Sequence, residues 1–289
     1  MTNWFDEVLH VEITKKGYAQ RFEVKSVLFR EKTDFQDLVI FETPHFGRVL
    51  ALDGIVQTTE GDEFCYHEMQ AHVPILAHGA VKRVLIVGGG DGGVLREVLK
   101  HQAVEVCTMV EIDRSVVDLC TRYMPSLSDG AFENPRTDLV IADGLKYVAE
   151  TRNRFDVIIV DSTDPIGPGE VLFTQQFYKD CKRCLNPGGV IVTQNGVPMF
   201  QPDEVATTKR RLGPVFADVS FYATVVPTYV GGFMTLAWGT DNKDMRNVAE
   251  KTVAERFAKA KIKTRYYNPG IHVSAFRLPN FIQALVDKA

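Results

Sequence analysis

Arg83-Val84-Leu85-Ile86-Val87-Gly88-Gly89-Gly90-Asp91-Gly92-Gly93-Val94-Leu95-Arg96 decides the fold of this chain of 289 residues. An apolar, mostly β-branched run passes straight into five glycines that enclose one aspartate, and an amphipathic helical pattern follows. The order is a buried strand, a tight backbone turn and a helix N-terminus. Glycine lets the backbone approach a ligand closely, and the start of a helix offers unpaired N–H groups. A glycine pattern alone is a weak signal. It gains weight from the strand before it, the helix after it and Glu111, ~20 residues on at the end of the next strand, where an acid can take a ribose hydroxyl. The bland alternative, a tight turn without a ligand, leaves these three contexts unexplained.

Outward from this stretch the pattern alternates. Strands are expected over 83–88, 104–110, 137–142, 156–161, 188–194, 216–225 and 232–239, and helices over 93–101, 115–123, 144–151, 173–185 and 202–213. Continuous apolar strands between helices predict a parallel sheet covered on both faces. Only Val226–Gly231 separates the last two strands, which implies an antiparallel hairpin at the sheet edge. Seven strands ending in a hairpin depart from a dinucleotide-binding Rossmann sheet. They resemble the Rossmann-like, class I S-adenosylmethionine-methyltransferase-like α/β fold. Before it, short β-like runs at Gln20–Arg30, Leu38–Glu42, Arg48–Leu52 and Ile55–Thr59 alternate with turn residues such as Pro44, Gly47 and Asp53-Gly54. They predict a small antiparallel N-terminal sheet. A helix then opens within Glu60–Met69 and runs to about His78, so residues 1–62 are read as an N-terminal β domain and 63–289 as the catalytic domain. The tail, 245–258 and 278–288, reads as helical and carries no motif.

Composition narrows the class. The chain is 45% hydrophobic and 24% charged, ordinary for a globular protein, and its net charge of −4 provides no basic field for nucleic acid or an anionic membrane. Mild acidity permits a cationic substrate. No apolar run approaches the ~20 residues that span a bilayer, and Met1–Tyr18 lacks the apolar core of a signal peptide. Five cysteines, an odd count without a secretion signal, point to reduced thiols in the cytoplasm. Cys181-x-x-Cys184 has the spacing of a redox or zinc pair, yet it sits in a helical pattern with no second ligand pair, so helix packing is the better reading.

In such a sheet, ligands bind at the carboxyl ends of the strands. The first four ends each bring an acid: Asp91, Glu111 with Asp113, Asp143, and Asp161 with Asp164. A strand-end aspartate is often only the N-cap of the next helix. Four acids converging on one crevice exceed what capping explains. Glu111 suits a ribose diol, because a carboxylate accepts two O–H bonds. Asp143 suits the amine of adenine, between Ile112 and Leu172 as apolar walls. Asp91, Asp161 and Asp164 remain and make the reacting end strongly negative. Like charges close together are costly unless a cation joins them, so a polycationic substrate is expected. Pro165–Gly169 reads as a stiff, hinged loop able to close over the site.

With these residues assembled, the chain resembles the polyamine aminopropyltransferases, the spermidine synthase family, in its bacterial form. The resemblance rests on Leu52–Glu60, Asp62–Met69, Val87–Gly93, Val110–Asp113, Asp161–Gly169 and Pro227–Gly232, in order across nearly the whole chain. It implies transfer of the aminopropyl group of decarboxylated S-adenosylmethionine to putrescine, giving spermidine and 5′-methylthioadenosine, with no prosthetic group and no metal. It implies Asp161 as proton acceptor and Asp91 as the acid on the aminopropyl amine. It places Asp164, Tyr66, His67 and Tyr229 against the polyamine, and Gln36, Glu111, Asp143, Gly144, Pro168 and Gln57 against the nucleoside. Many relatives carry glutamine where this chain has His67; both can hydrogen-bond an amine. A homo-oligomer, dimer or tetramer, is expected.

The residue types suit the reaction. A sulfonium is already a good leaving group. The amine must attack in line and needs its lone pair, so Asp161 takes the proton while Tyr66 orients the nitrogen. Each aromatic has a blander reading: Tyr66 as a helix face packed on the core, His67 as a core histidine, Tyr229 as a structural turn residue. Trp4 and Trp238 are read as packing residues, and the remaining histidines show no metal spacing. The nearest rival is an S-adenosylmethionine-dependent N-methyltransferase acting on a small amine. Its cofactor brings a carboxylate, for which a loop containing Asp91 and no lysine or arginine is a poor host. A nicotinamide oxidoreductase leaves the hairpin and the acidic fourth loop unexplained, and a non-catalytic polyamine-binding protein has no use for a proton acceptor beside a nucleoside pocket.

Overall fold

A computed structural model of the chain describes residues 2–8, 17–163 and 172–289. Strands β1 (Asn3–Asp6) and β2 (Arg21–Val24) form an antiparallel ribbon. Strands β3 (Ser26–Lys32), β4 (Asp37–Thr43), β5 (Gly47–Leu52) and β6 (Ile55–Thr59) form an antiparallel meander. Two differences from the expectation stand out. The run Gln20–Arg30 is not one strand; it divides between the ribbon and the meander. β1 was not foreseen at all, because four residues with exposed faces carry no alternation to read.

Alternation in the meander has a direct consequence for packing. Leu38, Ile40, Leu50 and Leu52 face the helix Arg114–Tyr123 of the larger domain and share a core with its Val116, Leu119 and Cys120. Val39, Phe41, Val49 and Ala51 face the other way and are covered by Phe22 and Phe5 of the ribbon. The small sheet therefore lies against the larger domain, held by apolar burial at ~25 cal/mol per Å².

The larger domain begins with α1 (Phe64–His78), buried along nearly its whole length and closed by Gly79 in the left-handed conformation. Then come β7 (Arg83–Gly88), α2 (Gly93–Lys100), β8 (Val106–Glu111), α3 (Arg114–Tyr123), α4 (Pro125–Ser128), β9 (Thr137–Ile141), α5 (Gly144–Glu150), β10 (Phe155–Asp161), α6 (Gln175–Cys184), β11 (Leu185–Gln194), α7 (Pro202–Leu212), β12 (Asp218–Val225) and β13 (Phe233–Thr240). Three C-terminal helices follow: α8 (Glu250–Ala260), α9 (Pro269–Ala275) and α10 (Asn280–Asp287). The seven-stranded sheet has the order β12-β13-β11-β10-β7-β8-β9. β7 to β11 run parallel, and β13 is antiparallel to both its neighbours. The hairpin is present as expected, with β12 as the outer strand and β13 inserted beside β11.

Period-two alternation divides the core. Val84, Ile86, Val157, Ile159 and Trp238 face α1 and α2. Leu85, Val87, Ile158, Val160 and Ala237 face α6 and α7, where Cys181 and Cys184 are buried, unpaired packing residues. Trp238 is a core residue, but Trp4 is 43% exposed and lies beside Arg21, so the packing expectation fails for it. Among the described residues no helix is long and apolar enough to cross a membrane.

Candidate active site

The register of the sheet assembles the site. Gly88 ends β7 directly opposite Asp161, the end of β10. Gly88 takes a φ of +86°, and a Cβ there would fall 2.2 Å from the Asp161 carbonyl oxygen, so only glycine lets the two strand ends touch. The Gly89 N–H then donates to that carbonyl at 2.9 Å. Around these ends lies a cavity of about 280 Å³. Its walls include Gln36, Gln57, Tyr66, His67, Asp91, Glu111, Asp143, Gly144, Asp161 and Tyr229, together with Ile112 and Leu172. Of the positions expected from the sequence, all but two thus meet in one space. Asp164, Pro168 and the loop Pro165–Gly169 lie outside the described residues.

At one end the nucleoside candidates cluster. Glu111 accepts from the Asp113 N–H at 2.9 Å, and its burial pushes its pKa up to about 7. Asp113 is the N-cap of α3, accepting from the Ser115 N–H at 2.9 Å, and also receives the Gln36 amide at 3.0 Å. The capping reading was therefore correct for Asp113. Asp143 also caps a helix, accepting from Leu145 N–H at 2.8 Å, while lining the cavity.

At the other end Tyr66 donates its hydroxyl proton to Asp161 at 2.7 Å. The Gln70 amide donates to the same tyrosine oxygen. Burial, then the nearby charge of Asp91, pushes Asp161 up to about 6. Tyr229 donates to the Gln57 carbonyl at 2.7 Å and sets its ring 5.8 Å from that of Tyr66. Asp91 accepts from the Gly93 N–H at 2.7 Å and faces His67 Nε2 at 3.4 Å. The other ring nitrogen of His67, Nδ1, meets Glu63 at 2.6 Å. Burial opposes a charge on His67, but Asp91 and Glu63 outweigh it and hold the imidazole well above its ordinary pKa. Burial likewise opposes the Asp91 charge, and His67 overcomes it, leaving Asp91 below the usual carboxylate value.

Sequence reasoning missed Glu63, Gln70 and Arg96. The signal was there in helical spacing: Glu63 and His67, and Tyr66 and Gln70, are four residues apart and share a helix face. Arg96 does not enter the cavity. It turns back to Glu63 and Glu97, each at 2.8 Å. Glu7, Asp53, Asp91, Glu111, Asp143 and Asp161 line the cavity, and among the described residues no lysine or arginine does.

The chain is similar to known proteins over nearly its whole length. Residues 63–250 match the spermine/spermidine synthase domain, and residues 4–60 match the spermidine synthase tetramerisation domain. Polyamine aminopropyltransferase 1 of Pseudomonas aeruginosa is 57% identical over 277 residues, 96% of this chain and 97% of that protein. The polyamine aminopropyltransferase of Salmonella arizonae is 56% identical over 281 residues, 97% of this chain and 96% of its own. A spermidine synthase crystallised with the transition state analogue AdoDATO superposes with a TM-score of 0.92 at 38% identity, covering 99% of this chain and 96% of its own. Spermidine synthase from Thermotoga maritima gives 0.89 at 37%, covering 99% and 94%. The chain belongs to the spermine/spermidine synthase family.

Proposed function

We propose that the chain moves the aminopropyl group of decarboxylated S-adenosylmethionine to putrescine with Asp161 as the proton acceptor. The carrying observation is the charge of the cavity: six carboxylates line it, and no lysine or arginine does among the described residues. That wall suits a cationic donor and a diamine, and it is a poor host for the carboxylate of intact S-adenosylmethionine.

The step balances as follows. One ammonium of putrescine gives its proton to Asp161. The freed lone pair forms a bond to the methylene carbon beside the sulfonium. The carbon–sulfur bond breaks, its electron pair returns to sulfur, and 5′-methylthioadenosine leaves as a neutral thioether. Tyr66 holds Asp161 and orients the amine, and Tyr229, His67 and Asp164 complete the polyamine end. Asp91 receives the aminopropyl ammonium. Glu111 takes the ribose diol: a buried carboxylate at about 7 gains most from two O–H donors. Gln36, Gln57, Asp143, Gly144 and Pro168 border the base and ribose. Aligning the two substrates supplies up to ~7–11 kcal/mol of the barrier in favourable cases.

Residues 1–62 form the N-terminal domain and 63–289 the catalytic domain. The tetramerisation-domain match supports a homo-oligomer, dimer or tetramer. Five buried, unpaired cysteines support a reducing cytoplasmic setting. Incubation with decarboxylated S-adenosylmethionine and putrescine should release 5′-methylthioadenosine and spermidine in equal amounts. Release of S-adenosylhomocysteine from intact S-adenosylmethionine alone would replace this reading with an N-methyltransferase.

A further inference from the structure

We propose that Glu63 is a positioning residue for the donor substrate, gripping His67 so that the ring fixes Asp91 for the aminopropyl ammonium. Glu63 does not line the cavity, so any effect it has on substrate must pass through another residue. Its Oε2 meets His67 Nδ1 at 2.6 Å, one helical turn away. This contact commits Nδ1–H to Glu63 and leaves Nε2 for Asp91. The ring has no other place to go: a Cβ on Gly93 would lie 2.1 Å from Nδ1, so the first turn of α2 closes over it. His67 is 2% exposed and Glu63 8%.

The arrangement continues behind Glu63 as an alternation of charge. Arg96 reaches Glu63, and its other donors go to Glu97 and to the carbonyls of Ser126 and Leu127 at 3.0 and 2.8 Å. Glu97 in turn receives Lys100 at 2.7 Å. The order Asp91, His67, Glu63, Arg96, Glu97, Lys100 is acid, base, acid, base, acid, base. A buried carboxylate that must meet a substrate cation has to stay ionised before that cation arrives, and each neighbour here favours the charge of the next. Both ring nitrogens of His67 face carboxylates, so besides bordering the polyamine end its ring steadies Asp91.

The inference rests on Asp91 receiving the aminopropyl ammonium, and the test separates the two. Decarboxylated S-adenosylmethionine carries that ammonium; 5′-methylthioadenosine does not. Affinity for each ligand and steady-state kinetics are measured for Asp91→Asn, Glu63→Gln, His67→Gln and the double variant Glu63→Gln/His67→Gln. Glu63→Gln is expected to weaken the donor about tenfold or more, the scale of one charge-assisted hydrogen bond, with donor KM changing more than kcat. Methylthioadenosine binding should stay within about twofold, well under that scale. Adding Glu63→Gln to His67→Gln should cost nothing further, because the grip has no ring left to hold. Glu63→Asp keeps the charge for Arg96 but draws back from Nδ1, and it should give the same donor-selective loss if the glutamine variant does not fold. Equal weakening of both ligands, or a Glu63→Gln effect that survives in the His67→Gln background, would overturn the inference. If Asp91→Asn discriminates the ligands and the Glu63 variants do not, only the role of Glu63 falls. If Asp91→Asn does not discriminate them, the role of Asp91 falls and that of Glu63 with it.

Discussion

Asp161, the proposed proton acceptor, is held between opposing influences. Burial and the charge of Asp91 push it up to about 6, and the hydroxyl of Tyr66 pulls it down. In the proposed role it accepts a proton only above about 6, so kcat/KM should fall on the acid side of that value. Asp161→Asn should lower turnover ~10²–10⁴-fold and leave methylthioadenosine binding nearly intact. The same variant should melt higher than the parent when unliganded. A carboxyl whose folded pKa is raised contributes stability below its unfolded pKa, and that contribution is lost as pH rises through about 6. At pH 8 the variant escapes this cost; at pH 4 the two proteins should melt alike. Equal melting at pH 8 would mean that Asp161 is not perturbed. Tyr66→Phe removes the hydroxyl that lowers the pKa of Asp161, so the acid limb should move to higher pH, with kcat down roughly tenfold, the scale of one hydrogen bond to a charged group. An unmoved limb would separate Tyr66 from Asp161.

At the scale of elements, α1 and α2 are joined by buried charge. Glu97 is fully buried and meets Arg96, Lys100 and His72 at 2.8, 2.7 and 3.0 Å. Burial opposes its charge, but these partners bring its pKa down to about 2. The stability it contributes is complete above the ordinary glutamate value and fades as pH falls toward about 2. Glu97→Gln leaves Lys100 and His72 without their acid and Arg96 with Glu63 alone. It should destabilise by about 3–5 kcal/mol near neutrality, as removal of one partner of a buried pair does. The loss should shrink on acidification and respond little to salt. Chemical denaturation at two pH values measures it, and an equal loss at both would refute the assignment.

These two scales also mark what the sequence reveals. The glycine stretch, the strand ends and the acids on them are local patterns, and the structure brings Asp91, Glu111, Asp143 and Asp161 together around one cavity. The partners that orient them leave only a four-residue helical spacing, which apolar patterning does not pick out. Gln70 and Glu63 sit on a helix whose faces are all buried, so hydrophobic periodicity is silent there. The division of Gln20–Arg30 depends on which sheet accepts each half, a tertiary choice with no turn residue to announce it. β1 exists because β2 pairs with it.

For the whole molecule, the Glu68 side chain is a main tie between the C-terminal segment and helix α1, beside Arg256, which donates to the Leu76 and Ala77 carbonyls. The carboxylate of Glu68 accepts the backbone N–H groups of Arg265, Tyr266 and Tyr267 at 2.7, 2.8 and 2.8 Å. Nothing in the sequence links residues so far apart. Glu68→Ala leaves those three donors unpaired, each costing ~1–3 kcal/mol if it stays buried. The segment should therefore loosen rather than remain dry. Limited proteolysis should cut the variant between α8 and α9 before the parent, and a parental digestion pattern would contradict this anchoring role.

Helix α1 shows where such ties accumulate. Asp62 accepts from Thr228 N–H, Cys65 from Thr224, and Met69 from Tyr222, while Phe64 stacks against Arg265. Glu63, Tyr66, His67, Glu68 and Gln70 fill the places between. From 62 to 70 each residue makes a specific contact. An α-helix turns ~100° per residue, so one inserted or deleted residue here would rotate every later side chain away from its partner. The segment can change its letters but not its length. An inserted residue should be tolerated at an exposed connection such as Arg152–Asn153 and not along α1.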